Sequence, residues 1–269
     1  MKIHVSIVDY FKAERVVASI SCLGNQTLAE NINVTIVDNS EDQHNFSVLV
    51  SAMNGNKMVT LIQSHENLGY TKATNLSVDS SADYIVLLNP DIQITDSSLI
   101  EGCINCLEGD PRLGVVGVAQ KTEGGEKELI ARSYPKISSQ LARRAPSFAG
   151  FFGAEKRDYE LKEVNFANEG VFVVDWVQSS FWVVKGAVWR ELKGLSESYF
   201  LFMSEPDFSR RAEDIGYKTA IDCNRFVISD GVRASGVGLG AIFTSAPLRF
   251  HILDALKYYF KFNAGVRFF

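Results

Sequence analysis

The chain has 269 residues, 46% hydrophobic and 22% charged, a composition ordinary for a folded globular protein and long enough for one large domain or two small ones. A net charge of −5 and a pI of about 5.5 argue against a broad nucleic-acid-binding surface. No run of 18 apolar residues is present to span a membrane, and "MKIHVSIVDYF" lacks a signal-peptide core because Lys2, His4, Ser6 and Asp9 interrupt it, so the expected location is the cytoplasm.

The first third alternates strand and helix signals. "IHVSIVDY" (3–10), ending at Tyr10, is β-rich, and "ERVVASISCLGNQ" (14–26) spaces its apolar residues as a helix does. "NVTIVDNS" (33–40) predicts a second strand, "FSVLVSAMN" (46–54) a helix, "MVTLIQS" (58–64) a strand and "YTKATNLSVDSS" (70–81) a helix. "YIVLLNPDIQI" (84–94) then runs four apolar residues into Asn89-Pro90-Asp91. This repetition predicts an α/β fold with a mostly parallel sheet covered by helices on both faces. Ligands of such sheets gather at the carboxyl ends of the strands, so Asp38-Asn39-Ser40 and Asn89-Pro90-Asp91 are expected to face one crevice.

A helix at about 97–108 and a strand at 114–120 follow. Cys103 and Cys106 share a helical face with Leu99 and Leu107, which reads as buried thiols, with a redox or zinc pair as the alternative. Cys22 and Cys223 complete no metal-ligand cluster, and a reducing compartment is the simpler assumption. Residues 121–168 are polar and irregular; Arg132, Arg143 and Arg144 are either part of a solvated loop or available to anionic partners. Strand character returns in "FVVDWVQSSFWVVKGAVWRELKG" (172–194) before a helix, and "DFSRRAEDIGY" (207–217) reads as a helix followed by a strand at "KTAIDC". The tail, "RFHILDALKYYFKF" (249–262), places Phe250, Leu253, Leu256, Tyr259 and Phe260 on one helical face flanked by Arg249, Lys257 and Lys261.

"IVDNS", "ENLGYTKATN", "LLNPD", "VDWVQSSFWVV" and "YFLFMSEPDFSRRAEDIGY" occur in that order. Together they resemble the inverting family 2 glycosyltransferases, most of all the rhamnosyltransferase-type members that build bacterial surface polysaccharides such as O-antigen. The resemblance covers roughly residues 3–228. It implies a GT-A fold: a nucleotide-sugar-binding half (1–100) fused to an acceptor-binding and catalytic half (101–248) around one sheet, with a C-terminal amphipathic helix (249–269). It implies that Asp38 contacts the nucleotide, that Asn67 and Gly69 line the donor pocket together with Tyr10 and Asn89, and that Asp91 holds Mg²⁺ or Mn²⁺ on the diphosphate. Ser204-Glu205-Pro206-Asp207 matches the family's acidic pair, which puts Glu205 on the catalytic base position and Asp207 on the later acid. Asp175 and Trp176 match the acceptor-side segment. The implied partners are a nucleoside-diphosphate sugar and a glycan or lipid-linked glycan, with peripheral contact at the inner membrane face through the tail helix; that helix packing on the chain's own core or on a second subunit, as in a homodimer, is the alternative.

The chemistry points the same way. Release of a nucleoside diphosphate leaves negative charge that a cation must neutralise, and no G-x-x-x-x-G-K-[ST] loop or G-x-G-x-x-G turn is present. A divalent ion on Asp91 would serve, and Pro90 fixes φ in a turn that aims it. The acceptor hydroxyl needs a base for its proton, and Glu205 is the candidate. Glu205 and Asp207 also suit a helix N-terminus with Pro206 in its first turn, and Trp176 suits a core as well as a sugar ring. Two departures stand out: Ser204 replaces the first acid, and "VISDGVRASG" lacks the histidine common there, with Ser229 or Asp230 in its place. They keep open a non-catalytic member that binds sugar nucleotide or glycan. A nucleotidyltransferase is less consistent, since "VSIVDYFKAERVV" is not a Gly-rich triphosphate loop.

Overall fold

A computed structural model describes residues 1–136, 153–230 and 246–263. Arg143, Arg144 and the part of "VISDGVRASG" beyond Asp230 lie outside the described residues. The first half runs β1 (Ile3–Asp9), α1 (Ala13–Gly24), β2 (Ile32–Asp38), α2 (Gln43–Met53), β3 (Val59–Gln63), α3 (Gly69–Ser77), β4 (Tyr84–Leu88), β5 (Ile92–Gln93) and α4 (Leu99–Gly109). Then come β6 (Leu113–Thr122), β7 (Ala131–Arg132), α5 (Gly153–Glu160), α6 (Lys162–Asn165), β8 (Val171–Val174), β9 (Trp176–Val177), β10 (Phe181–Lys185) and α7 (Gly186–Leu192). The described chain closes with α8 (Ser204–Asp214), β11 (Lys218–Ser229) and α9 (Ala246–Asn263).

One sheet has the order β3-β2-β1-β4-β10-β6-β11-β5, with β8 also paired to β11. β1 to β4 are parallel, as the alternating sequence predicts. β10 lies antiparallel between β4 and β6, and β6 pairs in parallel with β11. Both faces are covered because strand residues alternate sides. Val86, Leu88, Phe181 and Val183 pack with α1, α2 and α4 on one face, where Val16, Ile20, Leu49 and Cys103 meet them. Ile85, Leu87, Trp182 and Val184 pack on the other with Val188, Trp189 and Phe208 of α7 and α8. Trp182 and Phe208 have almost no exposed surface, and burying a side chain of that size contributes on the order of 2–3 kcal/mol.

Three expectations change. The helix predicted over 70–81 stops at Ser77, where Val78 turns extended. The strand predicted from 172 splits into β8, β9 and β10, and the irregular stretch 121–168 contains β7, α5 and α6 among its described residues. The tail helix α9 packs on the chain's own core, the alternative left open for it, and leaves much of the predicted apolar stripe outward. The buried Asp254 carboxylate accepts backbone N–H groups of Phe200, Leu201 and Phe202 at 3.0–3.2 Å, and Tyr258 is fully enclosed beside Tyr199 and Met203. Phe250 stacks on Phe200, whereas Leu253, Leu256 and Phe260 are about half exposed.

Candidate functional site

The carboxyl ends of β1, β2 and β4 and the start of β10 meet at one edge of the sheet, since Asp9 pairs with Asp38 and Leu88 with Phe181. Both aspartates are fully buried and joined by Asn45, whose amide donates to Asp9 Oδ2 at 2.5 Å and Asp38 Oδ1 at 3.0 Å. Burial raises the Asp9 carboxyl above its usual range, against the pull of the Asn45 amide and the Lys12 N–H. Asp38 Oδ1 also takes the Ser40 hydroxyl at 2.6 Å, but Asp38 Oδ2 is buried with no hydrogen-bond partner. A carboxylate oxygen left so is costly unless a ligand donor completes it.

Tyr10 and Phe11 stand exposed after β1 as an edge-to-face pair, and Phe11 holds a φ of 57°. Backbone outside the common regions persists where surrounding contacts impose it, often beside a binding site. Asn67 sits across from the end of β2: its Oδ1 accepts from Asn39 at 2.9 Å and from the Gly69 amide at 3.0 Å. Gly69 itself has a φ of +75°, and a Cβ there would lie 2.5 Å from the Phe200 carbonyl oxygen. Its role in the structure is this close approach of α3 to the segment before α8.

Asn89 is tied to the turn before β10 by its backbone N–H, which donates to the Ser180 carbonyl at 2.9 Å. Asp91 lies in the next turn, with Lys12 Nζ 3.6 Å from its Oδ2. Asp230, after β11, pairs with Arg15 at 3.0 Å. No group of three His, Cys, Asp or Glu side chains able to hold a metal occurs among the described residues. The donor set therefore fits a divalent ion only in the form that Mg²⁺ commonly takes, one carboxylate with substrate phosphate oxygens and water.

Glu205 is half-buried in the first turn of α8. Ser179 Oγ donates to its Oε1 at 3.0 Å and Ser204 Oγ to its Oε2 at 3.0 Å. The Tyr70 hydroxyl is 2.9 Å from Ser179 Oγ, completing a chain from α3 through β10's leading turn to the carboxylate. Burial, reinforced by the Glu205 charge, pushes the Tyr70 phenol well above its usual range, so it stays protonated and able to donate. Ser179 adjoins Ser180, so this carboxylate flanks the same sheet edge as Asn89.

Three expected site residues are elsewhere or engaged. Asp207 is fully buried and holds the Tyr199 hydroxyl at 3.1 Å, Arg211 Nε at 2.7 Å and the Lys261 ammonium of α9. Its place is a structural ion network joining α8 to α9, since a carboxylate at i and arginine at i+4 share a helix face. Asp175 accepts the Tyr134 backbone N–H at 2.7 Å, and Trp176 is buried with its indole N–H on the Ser133 carbonyl at 2.8 Å. Sequence reasoning passed over Asp9, Lys12, Asn45 and Tyr70, and met Ser179 only as part of a run of small residues. Asp9 carried a usable signal, an aspartate ending an apolar strand as Asp38 does, and Ser179 lay within the small-residue run "QSS".

A family model described as glycosyl transferase family 2 matches residues 5–160. No curated protein matches the sequence at a significant level. Among solved structures, the mannosyltransferase PcManGT from Pyrobaculum calidifontis, in complex with GDP-Man and Mn²⁺, is 13% identical with a TM-score of 0.57; 86% of this chain and 57% of that one are covered. TarS 1–349 of S. aureus is 11% identical with a TM-score of 0.55, covering 98% of this chain and 73% of that one. The same TarS fragment in complex with UDP gives 12% identity and a TM-score of 0.56, again covering 98% and 73%. The chain thus spans little more than half the length of the mannosyltransferase. The mixed α/β fold is that of GT-A glycosyltransferases.

Proposed function

Since the chain belongs to glycosyl transferase family 2, we propose that it moves a sugar, rhamnose being the best fit to its motifs, from a nucleoside diphosphate to a hydroxyl of a glycan or lipid-linked glycan. Transfer is by single displacement with inversion, in bacterial surface-polysaccharide synthesis at the cytoplasmic side. The observation that carries this reading is Glu205, half-buried and oriented by two hydroxyls at the sheet edge that also presents Asn89 and, one turn on, Asp91. In this reading Asp38 Oδ2 accepts a donor group of the nucleotide, and Tyr10 offers an open ring to its base. Asn67 and Asn89 shape the donor pocket, with Gly69 fixing the approach of α3. Glu205 takes the acceptor proton, Ser179 and Ser204 keep its carboxylate in place, and Asp175, Trp176 and Asp207 support the acceptor side. A Mg²⁺ or Mn²⁺ ion held by Asp91 would stabilise the departing diphosphate as a Lewis acid. The bound GDP-Man with Mn²⁺ and the bound UDP of the two similar structures support a nucleotide-sugar donor.

The test is a panel of dTDP-, UDP- and GDP-sugars, followed by thermal shift and by release of nucleoside diphosphate with a glycan acceptor. One donor should raise the melting temperature and be turned over, since a ligand that binds only the folded state stabilises it by mass action. Asp38→Ala should raise the KM for that donor by about tenfold, the worth of one buried charge-assisted contact. Binding without turnover would favour the non-catalytic reading, and an unchanged KM would remove Asp38 from the donor site.

Membrane contact belongs to the same proposal. None of the described helices is long and apolar enough to cross a membrane. Leu253, Leu256 and Phe260 nevertheless face outward from α9, an arrangement suited to lying in a lipid interface. Flotation with anionic liposomes should recover the protein, and Leu253→Ser/Leu256→Ser should abolish it; a monodisperse dimer that ignores liposomes would assign the stripe to a second subunit.

A further inference from the structure

The carboxylates that follow β4 and β11 are each covered by a cation from one short stretch of chain. Lys12, immediately before α1, reaches Asp91, and Arg15, in the first turn of α1, reaches Asp230. Lys12 is held at the edge by its own backbone, whose N–H donates to Asp9 Oδ1 at 2.8 Å. Its ammonium is 3.6 Å from Asp91 Oδ2, beyond a good hydrogen bond, and about a third of the side chain is exposed. The pair is therefore a loose one, easily exchanged for a better anion. Asp230 by contrast is 7% exposed and bound by a guanidinium at 3.0 Å, a settled ion pair.

Resting on the donor reading above, we propose that Lys12 is the diphosphate-binding cation of this site, held near Asp91 until a nucleoside diphosphate enters and then passing to the phosphate oxygens. Three observations converge on it. Lys12 is anchored beside Asp9, one strand from the buried Asp38 whose free oxygen awaits the nucleotide, so a nucleotide seated there extends its phosphates along the β1–β4 edge where the ammonium lies. Asp91 offers a divalent ion one carboxylate, to be completed by phosphate oxygens and water, and Lys12 is a second cation at the same place. A lysine ammonium on a flexible four-carbon stem can follow the diphosphate from bound donor to leaving group, which a fixed guanidinium such as that of Arg15 cannot. Asp91 is released in the same exchange, available for a divalent ion when one is present.

The experiment is calorimetric titration of UDP, GDP and dTDP against their monophosphates, in EDTA and in Mn²⁺, for the wild type and for Lys12→Gln. In EDTA the wild type should bind its diphosphate roughly tenfold to a hundredfold more tightly than the monophosphate, the usual value of a contact to a charged group. Lys12→Gln should lose most of that preference, with monophosphate affinity falling far less, while the melting temperature stays near the wild-type value because its ion pair is a loose one at 3.6 Å. A diphosphate preference that survives in Lys12→Gln would overturn the proposal and leave the glycosyltransferase reading intact. A preference that appears in the wild type only with Mn²⁺ would also overturn it, assigning the charge to the metal. Failure of every nucleotide to bind the wild type would overturn the donor reading itself.

Discussion

Glu205→Gln is expected to lower kcat by ~10²–10⁴-fold, the usual contribution of a positioned general base, while the donor KM stays near its wild-type value. Glutamine keeps the shape, and its one carbonyl oxygen still accepts one of the two serine hydroxyls while its NH2 can donate to the other, but it cannot take the acceptor proton. The loss belongs to the transition state, so donor binding is spared. Ser179→Ala should cost less, because it loosens the carboxylate and breaks the link to Tyr70 without removing the base. The comparison that separates chemistry from folding is Asp207→Asn. Asp207 pairs with Arg211 and Lys261 in a fully buried position, so its substitution should lower the melting temperature first and activity only in proportion. Near wild-type turnover by Glu205→Gln would remove Glu205 from the base position.

The second large effect concerns stability. Asp254→Ala leaves the backbone N–H groups of Phe200, Leu201 and Phe202 without their acceptor in a region closed over by Tyr258. An unsatisfied buried donor costs about 1–3 kcal/mol; these three are only partly buried, so the loss lies toward the low end of their sum, on the order of 3–5 kcal/mol, a large part of the ~5–15 kcal/mol that holds an ordinary domain folded. The melting temperature should fall by roughly 10 °C, with Asp254→Asn milder because one acceptor oxygen remains. A wild-type melting temperature in Asp254→Ala would show that water replaces the carboxylate and that α9 is not clamped there.

The strand ends were the legible part of the site. An aspartate or asparagine directly after an apolar run has little to gain from the core, and Asp38, Asn89 and Asp91 do fall at one sheet edge. Glu205 and Asp207 were separated in the sequence only by the family resemblance, because two residues apart in the first turn of a helix both suit its N-terminus. Their burial separates them: Asp207 turns inward to Arg211 and Lys261, and Glu205 turns toward β10. The parallel half of the sheet followed from alternation, whereas the three-way split into β8, β9 and β10 did not, since a run such as "FVVDWVQSSFWVV" carries no strong breaker. What the sequence did not show was which residues dock α9. Periodicity registers apolar side chains, not a carboxylate needed by three backbone amides.

The antiparallel placement of β10 against β4 also bears on how the chain acquires its fold. Leu88 pairs with Phe181 and Tyr84 with Lys185, so one side of β4 has no partner until a segment far along the chain has been made. During synthesis Ile85, Val86, Leu87 and Leu88 therefore form an open apolar edge, the kind that templates wrong strand pairing, and closing it carries the entropy of a long loop. A fragment that stops after α4 would keep that edge for good. The first half of the chain, through α4, is accordingly a region of the molecule and not a unit that can be detached from it: the strand that seals it also carries, in its leading turn, the serine that hydrogen-bonds Glu205.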